Sequence, residues 1–186
     1  DFACGTWGGR PWADGLQGNS NMFANMASQS VEVIEAEQPV EILAYELLPD
    51  RAGPGKYRGG APYYRDYRFT EKEAVLQVRS DRARFRPYGL YGGLPGTASA
   101  NYLNPQRENK KLTSKPTMMI ENGDVFRHEL AGGGGWGDPL ERHPSDVLRD
   151  VRNELVSAEA ARTGWPQGGL GPRQNERNGP GLEPGS

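Results

Sequence analysis

The run Gly132-Gly133-Gly134-Gly135-Trp136-Gly137, closed by Asp138-Pro139, constrains the fold more than any other segment. Successive residues without Cβ atoms cannot build a helix or a strand by side-chain packing. Such a run has two uses. Its backbone N–H groups can cradle an anion, or other backbones can pass where a side chain would not fit. The first use lacks the Gly-Lys-Ser/Thr ending of a phosphate loop. Seven residues also separate Gly137 from Ser145, so no helix opens directly onto the glycines. A tight chain crossing is the better reading. Glycines at 5, 8, 9, 15 and 18, and the Gly/Pro loops 51–60 and 86–96, suit the same architecture.

Between these loops lie short β-prone stretches. Val40 to Leu48, Ala61 to Phe69 (with Tyr63, Tyr64, Tyr67 and Phe69) and Ala74 to Val78 read as strands. Lys115–Ile120 and Asp124–Leu130 flank Asn122-Gly123, which predicts a hairpin. Ser30 to Glu35 fits a strand through Val31 and Val33, or a short helix through Val31, Ile34 and Glu35; Pro39 closes it either way. Pro144 suits a helical first turn, and Val147, Leu148, Val151 and Leu155 follow at helical spacing. Ser157 can cap a second helix over Glu159–Arg162. From residue 164 the Gly, Pro, Asn and Gln content reads as a flexible tail, leaving 1–163 as the folded region. The expected class is α+β: a mainly antiparallel β core, Gly-rich loops and C-terminal helices. Loops longer than a meander needs point to packing against something else.

Composition narrows the function classes. Of 186 residues, 26 are glycine and 15 proline; the formal charge of −2, with both signs interspersed, is not the basic footprint of a nucleic-acid binder. A single cysteine, Cys4, excludes an intrachain disulfide. No signal peptide and no membrane-spanning apolar run is present, so a cytoplasmic location is expected. The start at Asp1, without an initiator Met, is expected of a processed chain or a fragment. His128 and His143 have no partner at metal-ligand spacing, and no metal site is expected from this chain alone. Arg79-Ser80-Asp81-Arg82-Ala83-Arg84 places three cations around one carboxylate, either as an anion clamp or as an interface ion-pair network. Asp14, Asn21, Asn25, Glu32 and Glu35 form a loose polar series.

Taken as an ordered set, these segments resemble one known family. Arg10-Pro11-x-x-Asp14-Gly15, Asn25 and Val31-Glu32-Val33-Ile34-Glu35 are similar to the start of the C-terminal region of hydantoinase B/oxoprolinase proteins. Tyr45-Glu46-Leu47-x-Pro49-Asp50 and Gly53-x-Gly55-Lys56-Tyr57-Arg58-Gly59-Gly60 continue the likeness. Ser80-Asp81-Arg82-x-Arg84-Phe85-x-Pro87-x-Gly89-Leu90-x-Gly92-Gly93-x-Pro95-Gly96 resembles that family's central signature. Asn104-Pro105, Ser114-Lys115, Gly123-Asp124, Gly132 to Pro139 and Leu155-Val156-Ser157-x-Glu159-Ala160-Ala161 follow in order. The stretch Thr163-Gly164-Trp165-Pro166 departs from the family pattern.

The resemblance implies a component of an ATP-dependent cyclic-amide hydrolase of the 5-oxoprolinase or N-methylhydantoinase type. ATP and Mg2+ are then expected on a hydantoinase A-type partner subunit. A larger hydantoinase B-type N-terminal piece, a possible home for a divalent metal, is expected as a second partner. No nucleic acid and no membrane is implied. A ketone carboxylase component (acetone or acetophenone type) and a non-catalytic assembly subunit are the alternatives. From residue chemistry and motif position, the catalytic candidates are Asp14, Asn25, Glu32, Asp81 and Arg82. Asp14 or Glu32 could orient a water, Asn25 could hold a substrate carbonyl and Arg82 could neutralise an oxyanion. The substrate-binding candidates are Arg10, Ser80, Gly133 and Gly134.

Overall fold

The structure, a computed structural model, describes residues 1–20, 26 and 28–164. Helix α1 (Val31–Glu37) precedes strands β1 (Val40–Leu47), β2 (Tyr63–Phe69), β3 (Glu73–Gln77), β4 (Ala100–Leu103), β5 (Lys110–Leu112), β6 (Thr117–Glu121) and β7 (Val125–Glu129). A 3-10 turn at Pro139–Glu141 leads into α2 (Pro144–Arg152) and α3 (Ala158–Gly164). The expected α+β architecture with an antiparallel core is what forms. Five strands pair in the order β1-β2-β7-β4-β5, and β3 pairs with β6. All five pairings are antiparallel.

The expected hairpin across Asn122-Gly123 does not form. The turn is present, with the Asp124 N–H donating to Glu121 O at 3.1 Å. Its two arms part, however: β6 pairs with β3, and β7 pairs with β2 and β4. The reason lies in the turn type. Gly123 has φ +87°, but Asn122 is not at positive φ, so this is not the type I′ turn that closes a two-residue hairpin. The Gly123 N–H instead donates to Phe69 O at 2.8 Å, and Asn122 Nδ2 donates to Thr70 O at 2.5 Å. The 121–124 turn is thereby bound to the end of β2 and the link into β3. The antiparallel pair β2/β7 thus turns a corner and continues as β3/β6.

Folding the ribbon over creates the larger apolar core. Leu76 and Ile120 from β3/β6 meet Leu103 and Phe126 from the main sheet, with Tyr67, Phe69 and Met118 around them. A smaller core joins Ala61 to Leu155 and Val156 beyond α2, with Val147, Ala160 and Ala161 packed on it. The stripe expected on α2 is therefore only partly apolar. Leu148 faces outward, and Asp150, 2% exposed, takes the buried position.

The ambiguity at 30–35 resolves as a helix. The Ser30 side chain accepts from the Val33 N–H, and Ile34 is the buried residue. Glu35 Oε1 then accepts from the Ile42 N–H at 2.7 Å, tying α1 to the edge strand β1. Ser157 caps α3 through the Ala160 N–H at 3.0 Å. The expected flexible tail lies almost wholly outside the described residues.

The glycine run is a chain crossing. A Cβ built on Gly132, Gly133, Gly134 or Gly135 falls 1.9–2.2 Å from the carbonyl oxygen of Arg51, Trp7, Tyr88 or Pro54, respectively. Backbone hydrogen bonds fasten it to each neighbour: Gly9 N–H to Gly134 O, Gly53 N–H to Gly133 O, Gly133 N–H to Gly60 O, and Gly135 N–H to Leu94 O. Loops from three distant parts of the sequence are laid against one glycine spine.

Candidate functional site

The Ser80-Asp81-Arg82 segment leaves the end of β3 as a turn. Arg82 has φ +64°, a conformation that costs a Cβ-bearing residue on the order of 1–3 kcal/mol. Ser99 holds it there: its Oγ donates to Asp81 O at 2.5 Å and its N–H to Arg82 O at 3.2 Å. The side chains of Arg79, Asp81, Arg82 and Arg84 are exposed. None of them forms an ion pair with a described residue, so the chain's own contacts do not make this an ion-pair network. Ser80 points the other way and is buried.

Beneath the turn runs a polar chain into the sheet. Ser80 Oγ donates to Ser114 O at 2.9 Å and accepts from Asn101 Nδ2 at 3.0 Å. Asn101 Nδ2 also donates to Thr113 O, and Asn101 Oδ1 lies 2.7 Å from His128 Nδ1. An amide oxygen only accepts, so Nδ1 carries the proton and Nε2 is left as the lone-pair nitrogen. Burial pushes His128 down to about 4, so the ring is neutral near pH 7. In register, Asn101, His128, Arg65 and Tyr45 stand opposite one another across β4, β7, β2 and β1. The sheet face that carries the core thus becomes polar along this row.

Asp14 and Arg10 belong to a second cluster. Arg142 donates to both oxygens of Asp14, at 2.7 and 2.8 Å, and to Asp150 at 2.6 Å. Arg58 donates its backbone N–H to Asp14 at 2.8 Å and sets its side chain 3.3 Å from Asp150. Arg10 donates to the backbone oxygen of Asp14 at 2.9 Å. Burial alone would raise the Asp14 carboxyl, but the bonds and charge of Arg142, with the Arg58 N–H, outweigh it and hold it below its ordinary value. Asp14 thus ties the first loop to the 51–60 loop and to the turn before α2.

The remaining candidates fall elsewhere. Glu32 is exposed in the first turn of α1, its carboxyl lowered by its own backbone N–H and Ser30. Gly133 and Gly134 are buried in the spine described above. Because Gly133 and Gly135 spend their N–H groups on Gly60 and Leu94, the run does not fit a phosphate cradle. Asn25 lies outside the described residues. Among the described residues no group of three His, Cys, Asp or Glu side chains could hold a metal ion. Among them, too, no helix is long and apolar enough to cross a membrane.

Asn101, Arg58, Arg142 and Asp150 were not singled out by the sequence. The side chains they bond lie 8 to 128 positions away, so no local pattern announces them.

Comparison with known proteins places this architecture. A protein named as the B-type component of a D-/L-hydantoinase, from Pseudomonas sp. (strain NS671), is 30% identical over 87% of the chain and 28% of its own length. The beta chain of the caprolactamase of Pseudomonas jessenii is 30% identical over 75% of the chain and 25% of its own length. The crystal structure of the ATP-dependent caprolactamase from Pseudomonas jessenii superposes with a TM-score of 0.78 at 26% identity, over 88% of this chain and 30% of that one. Nucleotide-free acetone carboxylase shares the fold, with a TM-score of 0.74 at 20% identity over 86% of this chain and 26% of that one. The chain spans between 8% and 28% of the length of the curated relatives it matches. With residues 1–139 matching the hydantoinase B/oxoprolinase family, the chain belongs to that family.

Proposed function

We propose that this chain is the C-terminal region of a hydantoinase B-type subunit in an ATP-dependent cyclic-amide hydrolase, and that its Ser80-Asp81-Arg82 turn faces the reaction. The observation that carries this reading is the turn itself. A residue in a costly conformation is clamped by Ser99, with the Asp81 and Arg82 side chains exposed and forming no ion pair among the described residues. Phosphorylation of an amide oxygen turns the carbonyl carbon into a centre that water can attack. Arg82 then neutralises developing negative charge, and Asp81 orients the incoming water. Asn25 and Glu32 remain proposed contributors. Asp14 acts as a positioning residue, because both of its carboxylate oxygens already serve Arg142.

ATP and Mg2+ belong in this reading to a hydantoinase A-type partner. A larger B-type piece supplies the remaining wall of the site and any metal. Phe85, Tyr88 and Tyr91, each more than two-thirds exposed beside Arg82, Arg84 and Arg86, suit a face that this piece covers. We also propose a cytoplasmic location.

Reconstitution tests the proposal. The chain is combined with a hydantoinase A-type partner and the larger B-type portion, and ADP release is followed with 5-oxoproline, a hydantoin or caprolactam. Release that depends on a cyclic amide and on this chain is the expected result. Release only with acetone plus bicarbonate would transfer the chain to the carboxylases. Release that does not need the chain would leave it an assembly piece.

A further inference from the structure

Arg65 sits in the middle of the sheet and is 1% exposed. Other buried arginines are neutralised by acids from the body of the fold: Arg58 by Asp150, and Arg142 by Asp14 and Asp150. Partly buried Arg127 spans both oxygens of Asp66 with Nε and Nη2, each at 2.7 Å. Arg65 differs. Its Nε and Nη2, the same carboxylate-matching edge, have no partner. Nη1 donates to Asp1 Oδ2 at 2.5 Å and to Tyr67 Oη at 3.5 Å, and the Tyr45 side chain also interacts with the guanidinium.

The surroundings of Arg65 are tyrosines. Its guanidinium lies 4.2 Å from the Tyr45 ring centroid and 5.9 Å from that of Tyr67. The Tyr67 hydroxyl donates to the same Asp1 oxygen. Tyr63, two positions along the same strand face, is 3% exposed and packs edge-on against Tyr45 at 4.9 Å. Its hydroxyl has the Tyr45 side chain beside it and meets no acceptor with good hydrogen-bond geometry. Burial, then Tyr45, pushes that phenol up, so it stays a protonated donor. A buried cation and a buried hydroxyl left with unmet donors are costly. Together they specify an acceptor with negative charge.

Of residues 1–5, which carry Asp1, only Cys4 is buried. Residues 1–5 make no backbone hydrogen bond to another described segment; the first is from the Trp7 N–H to Leu16 O. Gly5 has open space on its Cβ side, and Phe2 is half exposed.

We propose that Arg65, with the Tyr63 and Tyr67 hydroxyls, is a carboxylate-binding site that the Asp1 side chain occupies here and that an external carboxylate takes when residues 1–5 lift. The ligand class rests on the proposed function. When water opens a cyclic amide, the C–N bond breaks, a C–O bond forms and the product carries a new carboxylate. The site receives that group.

The test is an NMR titration of the full chain with acetate, followed at the backbone amides of Tyr63 and Tyr67 and at the Arg65 Nε–H. Asp1→Asn removes the competing carboxylate and is expected to tighten acetate binding roughly tenfold or more. Arg65→Lys, whose fold is checked in the same spectra, is expected to lose the response. 6-Aminohexanoate, the acid that caprolactam opens to, is expected to displace acetate. Equal acetate affinity in wild type and Asp1→Asn, or shifts that survive Arg65→Lys, would overturn the site. Acetate binding that 6-aminohexanoate does not displace would overturn its assignment to opened amides. No partner protein or ATP enters this experiment, so a failed turnover assay leaves the acetate result standing.

Discussion

Arg142 grips both carboxylate oxygens of Asp14, at 2.7 and 2.8 Å, across 128 positions of sequence. This contact fastens the N-terminal loop to the turn before α2. Arg142 also reaches Asp150 at 2.6 Å, so one guanidinium serves two acids from separate elements.

Arg142→Met therefore leaves Asp14 short of its main partner and Asp150 dependent on Arg58. The expected loss is about 3–5 kcal/mol, the range for breaking a buried pair, read as a lower urea midpoint. Lys56→Ala, which breaks an exposed pair with Glu141, is expected to leave the midpoint unchanged. The Asp14 contribution has a definite sign with pH. Its folded value lies below 3.8, so its stabilisation is full above 3.8 and is lost as pH falls through the lower folded value. Asp14→Asn and wild type should converge only in that acid window.

His128 acts over a different window. Its value is about 4 in the folded chain against 6.5 ordinarily, so the unfolded chain takes up the proton first. Stability is then expected to fall as pH drops from 6.5 to 4, by up to about 3 kcal/mol. Urea unfolding of wild type and His128→Gln at several pH values measures this. The variant should lack that slope, and an equal slope in both would assign the effect elsewhere.

The glycine spine predicts a sharp contrast. A Cβ on Gly133 falls 2.2 Å from Trp7 O and 2.8 Å from Gly60 N, both backbone atoms that cannot move aside. Gly133→Ala is expected to cost about 3 kcal/mol or more. Gly5 has no atom within 4 Å of its Cβ position, so Gly5→Ala should be neutral or stabilise by about 0.4–1 kcal/mol. Thermal unfolding of the two variants separates a crossing from a merely glycine-rich loop.

Much of this architecture was legible because its signals are local. Tyrosine-rich β2, the Ser157 cap of α3 and the Gly132–Gly135 crossing all rest on residues adjacent in sequence. Strands β4 and β5 were missed because four residues interrupted by Asn101, and three residues of which two are lysines, carry too little alternation to register. Asn122-Gly123 marked a turn correctly but not the partners of its arms, which depend on the corner made with the link from β2 to β3. At the site, the Ser80-Asp81-Arg82 turn was visible as a motif. Neither its Ser99 clamp nor the Asn101–His128 chain beneath it was visible, because these contacts close over 18 to 27 residues.

The central claim is that the Asp81-Arg82 turn acts on the reaction rather than on the fold. The most direct test is steady-state ADP release by the reconstituted complex with Arg82→Ala, which removes an exposed side chain that forms no ion pair among the described residues. The expected result is a fall in kcat of roughly a hundredfold or more, as for loss of one oxyanion donor, with assembly and unfolding midpoint unchanged. Full turnover by Arg82→Ala in an intact complex would contradict it.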